Sequence, residues 1–433
     1  MTSASPAKEN WQIPPHFEQT PSAVEGISVF APLPVVEDSI APTAFKCPNC
    51  GATTQYDISA GGVACEHCGY QNAVKAQRVG LNASVFEFTL EALDHAERGW
   101  GVERQEMSCR NCGAALSVEP RAITTTCPFC GSNEVNLQAA SGESLRPRFI
   151  IPFKIQGEAL AAHAREWLGK GWFHPSELVS QVGMERFNGI YLPYWTFSAG
   201  ITSDWKAEVG YERTVSHYNP STRTTETHTE IDWRWENGRA GTRIQDMLIS
   251  GTGRLSRTIL ERIHPFSLAD LMTYSADYLA GWKALAYDVA LQPAWEEGKR
   301  SMRERAKSAC YDQIRTSHVR NFNMSAGFSD ENWRYILIPV YVASYKFEDK
   351  TFQVMVNGQT GQTAGQKPVA WWKVWLAITA LLSPGGLLVL VGLPLLFLGG
   401  FGIVPIIIGA VLLIAGLVFS AIIYKSAVDS EVA

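Results

Sequence analysis

The sequence predicts an α+β chain of several domains, and three observations predict it. Eight of the nine cysteines fall in four CxxC pairs that repeat in register. The middle of the chain alternates apolar and polar residues in aromatic-rich stretches. Near the C-terminus, 51 residues from Val374 to Tyr424 contain no Asp, Glu, Lys, Arg or His. The chain has 433 residues, of which 46% are hydrophobic and 18% charged, with a net charge of −5. An average soluble domain carries about 25% charged residues. The net negative balance gives the whole chain no electrostatic attraction to nucleic acid.

Residues 1–44 hold seven of the 22 prolines. Met1 to Asn10 has no apolar core of the kind a secretory signal needs. The segment reads as a disordered, solvated tail. Partner binding around Trp11-Gln12-Ile13-Pro14-Pro15 is the alternative.

The pairs are Cys47/Cys50, Cys65/Cys68, Cys109/Cys112 and Cys127/Cys130. Within each half, a CxxC is followed by 14 residues and a second CxxC, and the second half repeats the first at an offset of 62. A glycine follows every pair: Gly51, Gly69, Gly113 and Gly131. Two cysteines three apart on a tight turn can aim both sulfurs at one metal. The glycine supplies a positive φ and turns amides toward the thiolates. Two such knuckles complete a tetrahedral S₄ site, and this spacing lies just short of a recognised zinc pattern. We therefore expect two structural Zn²⁺ ions in ribbons at 45–75 and 105–140, joined by a strand-and-helix linker at 76–104. Disulfides would need an oxidising compartment. A redox CxxC explains one pair, not four in register, whereas iron would suit the same S₄ geometry. His67, between Cys65 and Cys68, reads as an exposed turn residue, and Cys310 as a structural bystander in a charged helix.

Four thiolates close a site to substrate, so these centres are folding devices and docking platforms. Residues 45–135 carry seven Lys or Arg and ten Asp or Glu. Two zinc tetrathiolates, each −2, would bring that balance to about −7. Such a surface repels phosphates, which argues against nucleic acid as the partner.

Residues 145–366 can bury a full core as an α+β central domain. Ile150-Ile151-Pro152-Phe153, Tyr191-Leu192-Pro193-Tyr194 and Leu337-Ile338-Pro339-Val340 read as strand openings, because proline is tolerated at a strand's first residue. Trp205–His217 and Arg223–Trp235 alternate strictly around a turn at Tyr218–Thr222. Pairing Trp205 with Trp235 and Val209 with Ile231 would put every apolar residue on one face. Arg257–Tyr287 and Ala294–Arg315 read as helices, and Trp333–Val356 as a strand pair before the Asn357–Gly361 turn. No GxxxxGK[ST], HExxH, GxSxG or GxGxxG motif occurs. His163 and Glu166 share a helical face, a pairing frequent by chance.

A bilayer core of about 30 Å takes about 20 apolar residues per helix, so the uncharged run fits two spans, at 374–397 and 403–424. Ser383-Pro384-Gly385-Gly386 should interrupt the first, and Leu398–Gly402 should form the turn. Trp371, Trp372, Trp375 and Tyr424 suit the headgroup zone, and Lys367, Lys373 and Lys425 flank the open ends. Both termini are then expected in the cytoplasm.

The CPNCG and CPFCG knuckles, YLPYWTF at 191–197, LIPVYVASYKFEDKTFQVMVNGQTG at 337–361 and the apolar tail together resemble YdjG-like bacterial zinc-ribbon membrane proteins. That group is often labelled after the primosomal helicase N′ on its ribbon alone, and no helicase motif is present here. The resemblance implies a link to membrane stress and a flotillin-like (SPFH) partner tethered to the membrane. The expectation is an α+β multidomain protein with two four-cysteine zinc ribbons, a β-rich central domain and a C-terminal transmembrane helical hairpin. It would act as a multi-pass scaffold of the cytoplasmic (inner) membrane, contacting the lipid bilayer and a cytoplasmic protein. A ligand-sensing or catalytic central domain is the alternative, and nucleic-acid binding through the ribbons a second.

Overall fold

The computed structural model describes residues 17–20, 29–32, 45–83, 86–87, 98–100, 104–111, 114–118, 127–129, 132, 134–139, 144–178, 187–220, 224–348, 350–397 and 402–432. The chain forms two units, residues 1–43 and 44–433. In the first, β1 (Phe17–Thr20) pairs antiparallel with β2 (Val29–Pro32), a hairpin inside the segment expected to be a tail.

The second unit begins with a three-stranded sheet of β3 (Gln55–Asp57), β4 (Gly62–Ala64) and β5 (Gln71–Ala73). A twelve-stranded sheet follows. It takes in β6 (Phe86–Glu87), β7 (Gln105–Cys109), β8 (Ala115–Val118), β9 (Val135–Ala139), β10 (Phe149–Ile150), β11 (Asn188–Asn219) and β12 (Thr224–Ser250). It also takes in β13 (Met272–Thr273), β14 (Lys283–Leu285), β15 (His318–Phe347), β16 (Lys350–Asn357) and β17 (Thr363–Gly365). Its main path runs β13-β10-β15-β11-β14-β8-β7-β9. Among the described residues, three α-helices precede the apolar hairpin: α1 (Gly157–Gly169), α2 (Arg257–Arg262) and α3 (Leu291–Tyr311).

The spine is the antiparallel pair β11–β15, from Asn188↔Val342 to Gly210↔His318. The expected strand openings at Pro193 and Pro339 lie inside these strands instead. Each proline occupies a changeover of neighbours on the outer edge. Beside β11, β14 pairs with Ile190 and Tyr191, and β12 takes over from Tyr194. Beside β15, β10 pairs with Ile336 and Leu337, and β16 takes over from Val340. No ladder donor is needed at the gap, so proline's missing N–H costs nothing there. Gly251 and Gly358 donate to the Pro193 and Pro339 carbonyls, both at 2.9 Å.

The β11–β12 register differs from the expected one. Trp205 faces Gly238, Glu208 faces Trp235, and the last pair is Asn219↔Thr224. The connection therefore falls at 220–223, and every pair slips by an odd number of residues. An odd slip moves a strand's apolar set to the other face. Trp205, Ala207 and Val209 are buried, whereas Trp235 is 55% exposed. Cations cover the displaced rings: the Lys206 amine lies 4.7 Å from the Trp235 centroid, and the Arg320 guanidinium 4.0 Å from that of Trp233.

The expected helix at Arg257–Tyr287 ends at Arg262. Pro265 disfavours the α conformation at His264, and the remainder is short turns with β13 and β14. The second expected helix is α3. It buries Leu291, Ala294, Trp295, Gly298, Met302, Ala306 and Cys310 on one stripe against the long strands. Cys310 is core, with its Sγ 3.6 Å from the Met324 sulfur.

The Asn357–Gly361 turn is a buried polar clasp. The Asn357 amide donates to the Ile263 and Pro265 carbonyls, and its Oδ1 accepts from the Gln359 and Thr360 amides. Gln359 donates to Asp270 and exchanges two bonds with the Ser267 backbone. Asp270 also accepts from Arg78 and Lys154. Burial raises its carboxyl pKa, but these donors outweigh that and hold it below the ordinary value.

Two helices close the chain, α4 (Trp371–Phe397) and α5 (Ile403–Val432), both long and apolar enough to cross a membrane. Their large apolar side chains, among them Leu387, Leu390, Ile407 and Leu417, are mostly exposed, unlike those of a soluble core helix. Pro384 does not interrupt α4. It removes the donor to the Ala380 carbonyl, and the Ser383 hydroxyl donates there instead, at 3.2 Å. Gly385 and Gly409 let the backbones meet: a Cβ on either would lie 2.9 Å from the other's carbonyl oxygen.

Asn357→Ala should lower unfolding stability by about 3 kcal/mol, because it leaves two buried carbonyls and two amides without partners. A urea titration in detergent reads this, and a change under about 0.5 kcal/mol, the range of an ordinary surface substitution, would contradict it.

Candidate metal centre

The first ribbon is built from local backbone rules. Cys47 and Cys65 open two knuckles, each with two bonds to its own turn. Cys47 N–H donates to the Ala52 carbonyl and Gly51 N–H to the Cys47 carbonyl. Cys65 and Gly69 repeat both bonds with Tyr70 and Cys65. Gly51 and Gly69 have φ of 73° and 72°, the left-handed conformation expected of the glycines. The β3–β4 turn is held by Asp57, whose Oδ1 accepts from the Ser59 amide and hydroxyl and from the Ala60 amide.

This geometry gathers Cys47, Cys50, Cys65 and Cys68, with all four sulfurs within 4.8 Å of one another. The Cys47–Cys68 and Cys50–Cys65 separations are 3.4 and 3.6 Å. A tetrahedral site with Zn–S bonds of about 2.3 Å separates its sulfurs by about 3.8 Å. The four residues therefore fit one zinc ion. Cys47 and Cys65 are buried and Cys50 and Cys68 exposed, so the centre lies at the surface, with His67 exposed as expected. Burial tends to raise the Cys47 thiol, but the Asn49 and Cys50 amides and the Cys68 and Cys50 thiols bring it down to about 7. At Cys50 the Ala52 amide lowers the thiol, yet burial and the three other sulfurs outweigh it and push it up to about 12. Four thiolates this close need a cation among them to ionise together.

Ribbon 1 is docked rather than free. The Tyr56 amide donates to the Ala280 carbonyl, the Trp282 indole donates to the Tyr56 carbonyl, and the Tyr56 and Tyr278 rings lie 5.0 Å apart. Val79 and Gly80 both donate to the Leu271 carbonyl. In the linker, β6 pairs with Asn332 and Trp333. Residues 88–97, which include Leu90 and Leu93, lie outside the described residues.

Cys109 and Cys127 are buried, and Cys112 and Cys130 lie outside the described residues. The backbone repeat extends to this half. Cys109 N–H donates to Ala114 and Cys127 N–H to Ser132, the same five-residue reach as in the first ribbon. The setting differs, however. Leu116 and Ser117 of β8 pair with Leu285 and Ala284 of β14, so the twelve-stranded sheet crosses the expected boundary between 105–140 and 145–366. Cys109, Cys127 and Phe129 belong to the main apolar core with Ile338 and Val340. The Phe129 carbonyl accepts from Ser344 and Gln353. No local signal marked these two anchors, because they lie more than 200 residues away in sequence.

His163 and Glu166 both line one cavity beside α1, with Gly361 and Lys367. His163 packs on Gly361, where a Cβ would collide with its ring.

Cys50→Ser removes an exposed ligand without touching the core. It should release one zinc equivalent while the protease resistance of residues 145–366 stays unchanged. X-ray absorption on the wild type should give Zn–S distances of about 2.3 Å. Zinc content unchanged by Cys50→Ser would contradict the assignment.

A model of the transposase zinc-ribbon domain family matches residues 33–71. The chain is 26% identical over 370 residues to an uncharacterised protein, YdjG, of Bacillus subtilis (strain 168), covering 82% of this chain and 98% of that protein. No solved structure matches the chain. The two matches cover most of the chain and agree with the resemblance to YdjG-like zinc-ribbon proteins.

Proposed function

We propose that this chain is a non-enzymatic, membrane-anchored scaffold. Its ribbons recruit a cytoplasmic protein to the inner membrane, and α4 and α5 cross that membrane with both termini on the cytoplasmic side. The observation that carries the reading is a pair of attachments. An all-thiolate ribbon with exposed knuckles is hydrogen-bonded to the central fold, and the same fold holds the base of the apolar hairpin. Lys367 N–H donates to the Ser430 carbonyl, and Lys350 pairs with Glu431. A rigid, closed metal site on an anchored sheet suits docking.

In this reading the chain binds two zinc ions, the second through Cys109, Cys112, Cys127 and Cys130. The repeated backbone bonds at Cys109 and Cys127 support it. The partner class is the flotillin-like (SPFH) protein that the resemblance implies.

The test uses the full chain in mild detergent. Asn49→Arg with Glu66→Arg reverses the exposed knuckle surface and leaves all eight thiols. It should weaken co-purification of a flotillin-like protein about tenfold, a loss of about 1.4 kcal/mol, with zinc content and membrane fractionation unchanged. Undiminished co-purification would move the docking surface away from the ribbon.

A further inference from the structure

A cavity of about 520 Å³ lies between α1, the end of α2, the β16–β17 turn and the end of α5. Its charge is lopsided. Lys170, Arg262 and Lys367 line it together with His163 and His174, against one carboxylate, Glu166, which pairs with Lys170 at 2.7 Å. Among the described residues Arg262 makes no ion pair. Lys367 is 6% exposed and has no carboxylate partner there either. Its amine donates to the Trp167 and Lys170 carbonyls and rests 4.1 Å from the Trp167 ring centroid. Lys367 thus covers the negative end of α1, which would otherwise repel an anion. Burial pushes the amine down to about 8, and an anion in the cavity would favour its charged form.

The depth of the cavity identifies the ligand's source. Trp371 and Trp375 pack on Tyr424, with centroids 5.6 and 6.5 Å away, and aromatic residues favour the membrane interface. Helix α5 runs on without a break to Ser430 at the cavity wall. Six residues of helix advance about 9 Å. The headgroup layer extends about 5–7 Å beyond the hydrocarbon core, so Ser430 stands about 2–4 Å past the outer edge of that layer, beside the headgroups rather than among them. This step rests on the reading of α4 and α5 as membrane spans.

We propose that the cavity is a binding site for a phosphate-bearing anion, presented to it as the headgroup of an anionic phospholipid. Arg262 and Lys170 contact the phosphate, and Lys367 supplies fixed positive charge from the wall. A guanidinium and an ammonium converging on one cavity match a phosphate's acceptor oxygens.

The test uses the full-length chain in nanodiscs of phosphatidylcholine, with or without phosphatidylglycerol. Native mass spectrometry counts the phosphatidylglycerol retained on release. The wild type and Arg262→Lys should each retain one molecule. Arg262→Gln with Lys170→Gln should retain about tenfold less, the loss expected for charge-assisted hydrogen bonds. Arg300→Gln, the same charge change on α3 outside the cavity, should behave as wild type. A parallel arm titrates inorganic phosphate into the detergent-purified protein. Tight phosphate binding with the same residue dependence, but no lipid retention, would keep the phosphate site and overturn the headgroup as its source. Retention that ignores Arg262 and Lys170, or no binding of either probe, would overturn the site itself. Recovery of the chain in the soluble fraction would sink the membrane-span reading alone, and the phosphate arm would still report on the cavity.

Discussion

Everything in the second unit hangs on the pairing of β11 with β15. These strands are too long to keep one neighbour each, so they exchange neighbours along their length. The exchange points need a residue that donates nothing to the ladder, and Pro193 and Pro339 provide it. The consequence is architectural. One outer edge carries β14 and, through it, β8, β7 and β9 of the second cysteine half. The other carries β16 and β17, which lead to Lys367 and the base of the apolar hairpin. The second cysteine half and the apolar hairpin are thereby joined by backbone hydrogen bonds instead of a linker.

The same economy governs the polar groups. Asn357 and Gln359 are buried and fully engaged, and they bind the turn after β16 to the 263–270 segment. Asp270 then connects that segment to Arg78, just past the first ribbon, and to Lys154. A buried network of this kind is costly when broken and specific when complete.

What could be read from the sequence was local or compositional. The knuckles were legible because metal ligation is written in a few adjacent residues, and the positive φ of Gly51 and Gly69 follows from the same turn. The apolar hairpin was legible because 51 uncharged residues have few other homes. Register was not legible. Alternation in Trp205–Trp235 shows which residues share a strand face, but one residue of loop length decides which faces coincide, and the loop falls at 220–223. The helix expected at Arg257–Tyr287 failed because its apolar spacing is overridden by Pro265 and by tertiary pairing of three residues of β14. Those same residues hide the fusion of the second cysteine half to the sheet, since Ala284 and Leu285 carry no motif.

The two cysteine halves differ mechanically: the first is docked on the fold, and the second is part of its sheet. Hydrogen–deuterium exchange on the nanodisc-embedded protein, before and after chelation of zinc, tests this directly. Residues 45–73 should lose protection on their own when the first site is emptied. If the proposed second site at Cys109, Cys112, Cys127 and Cys130 is filled, emptying it should make 105–118, 283–285 and the adjoining stretch of β11 lose protection together. Loss confined to 105–139, with 283–285 and β11 unchanged, would contradict this and restore the second ribbon as an independent module.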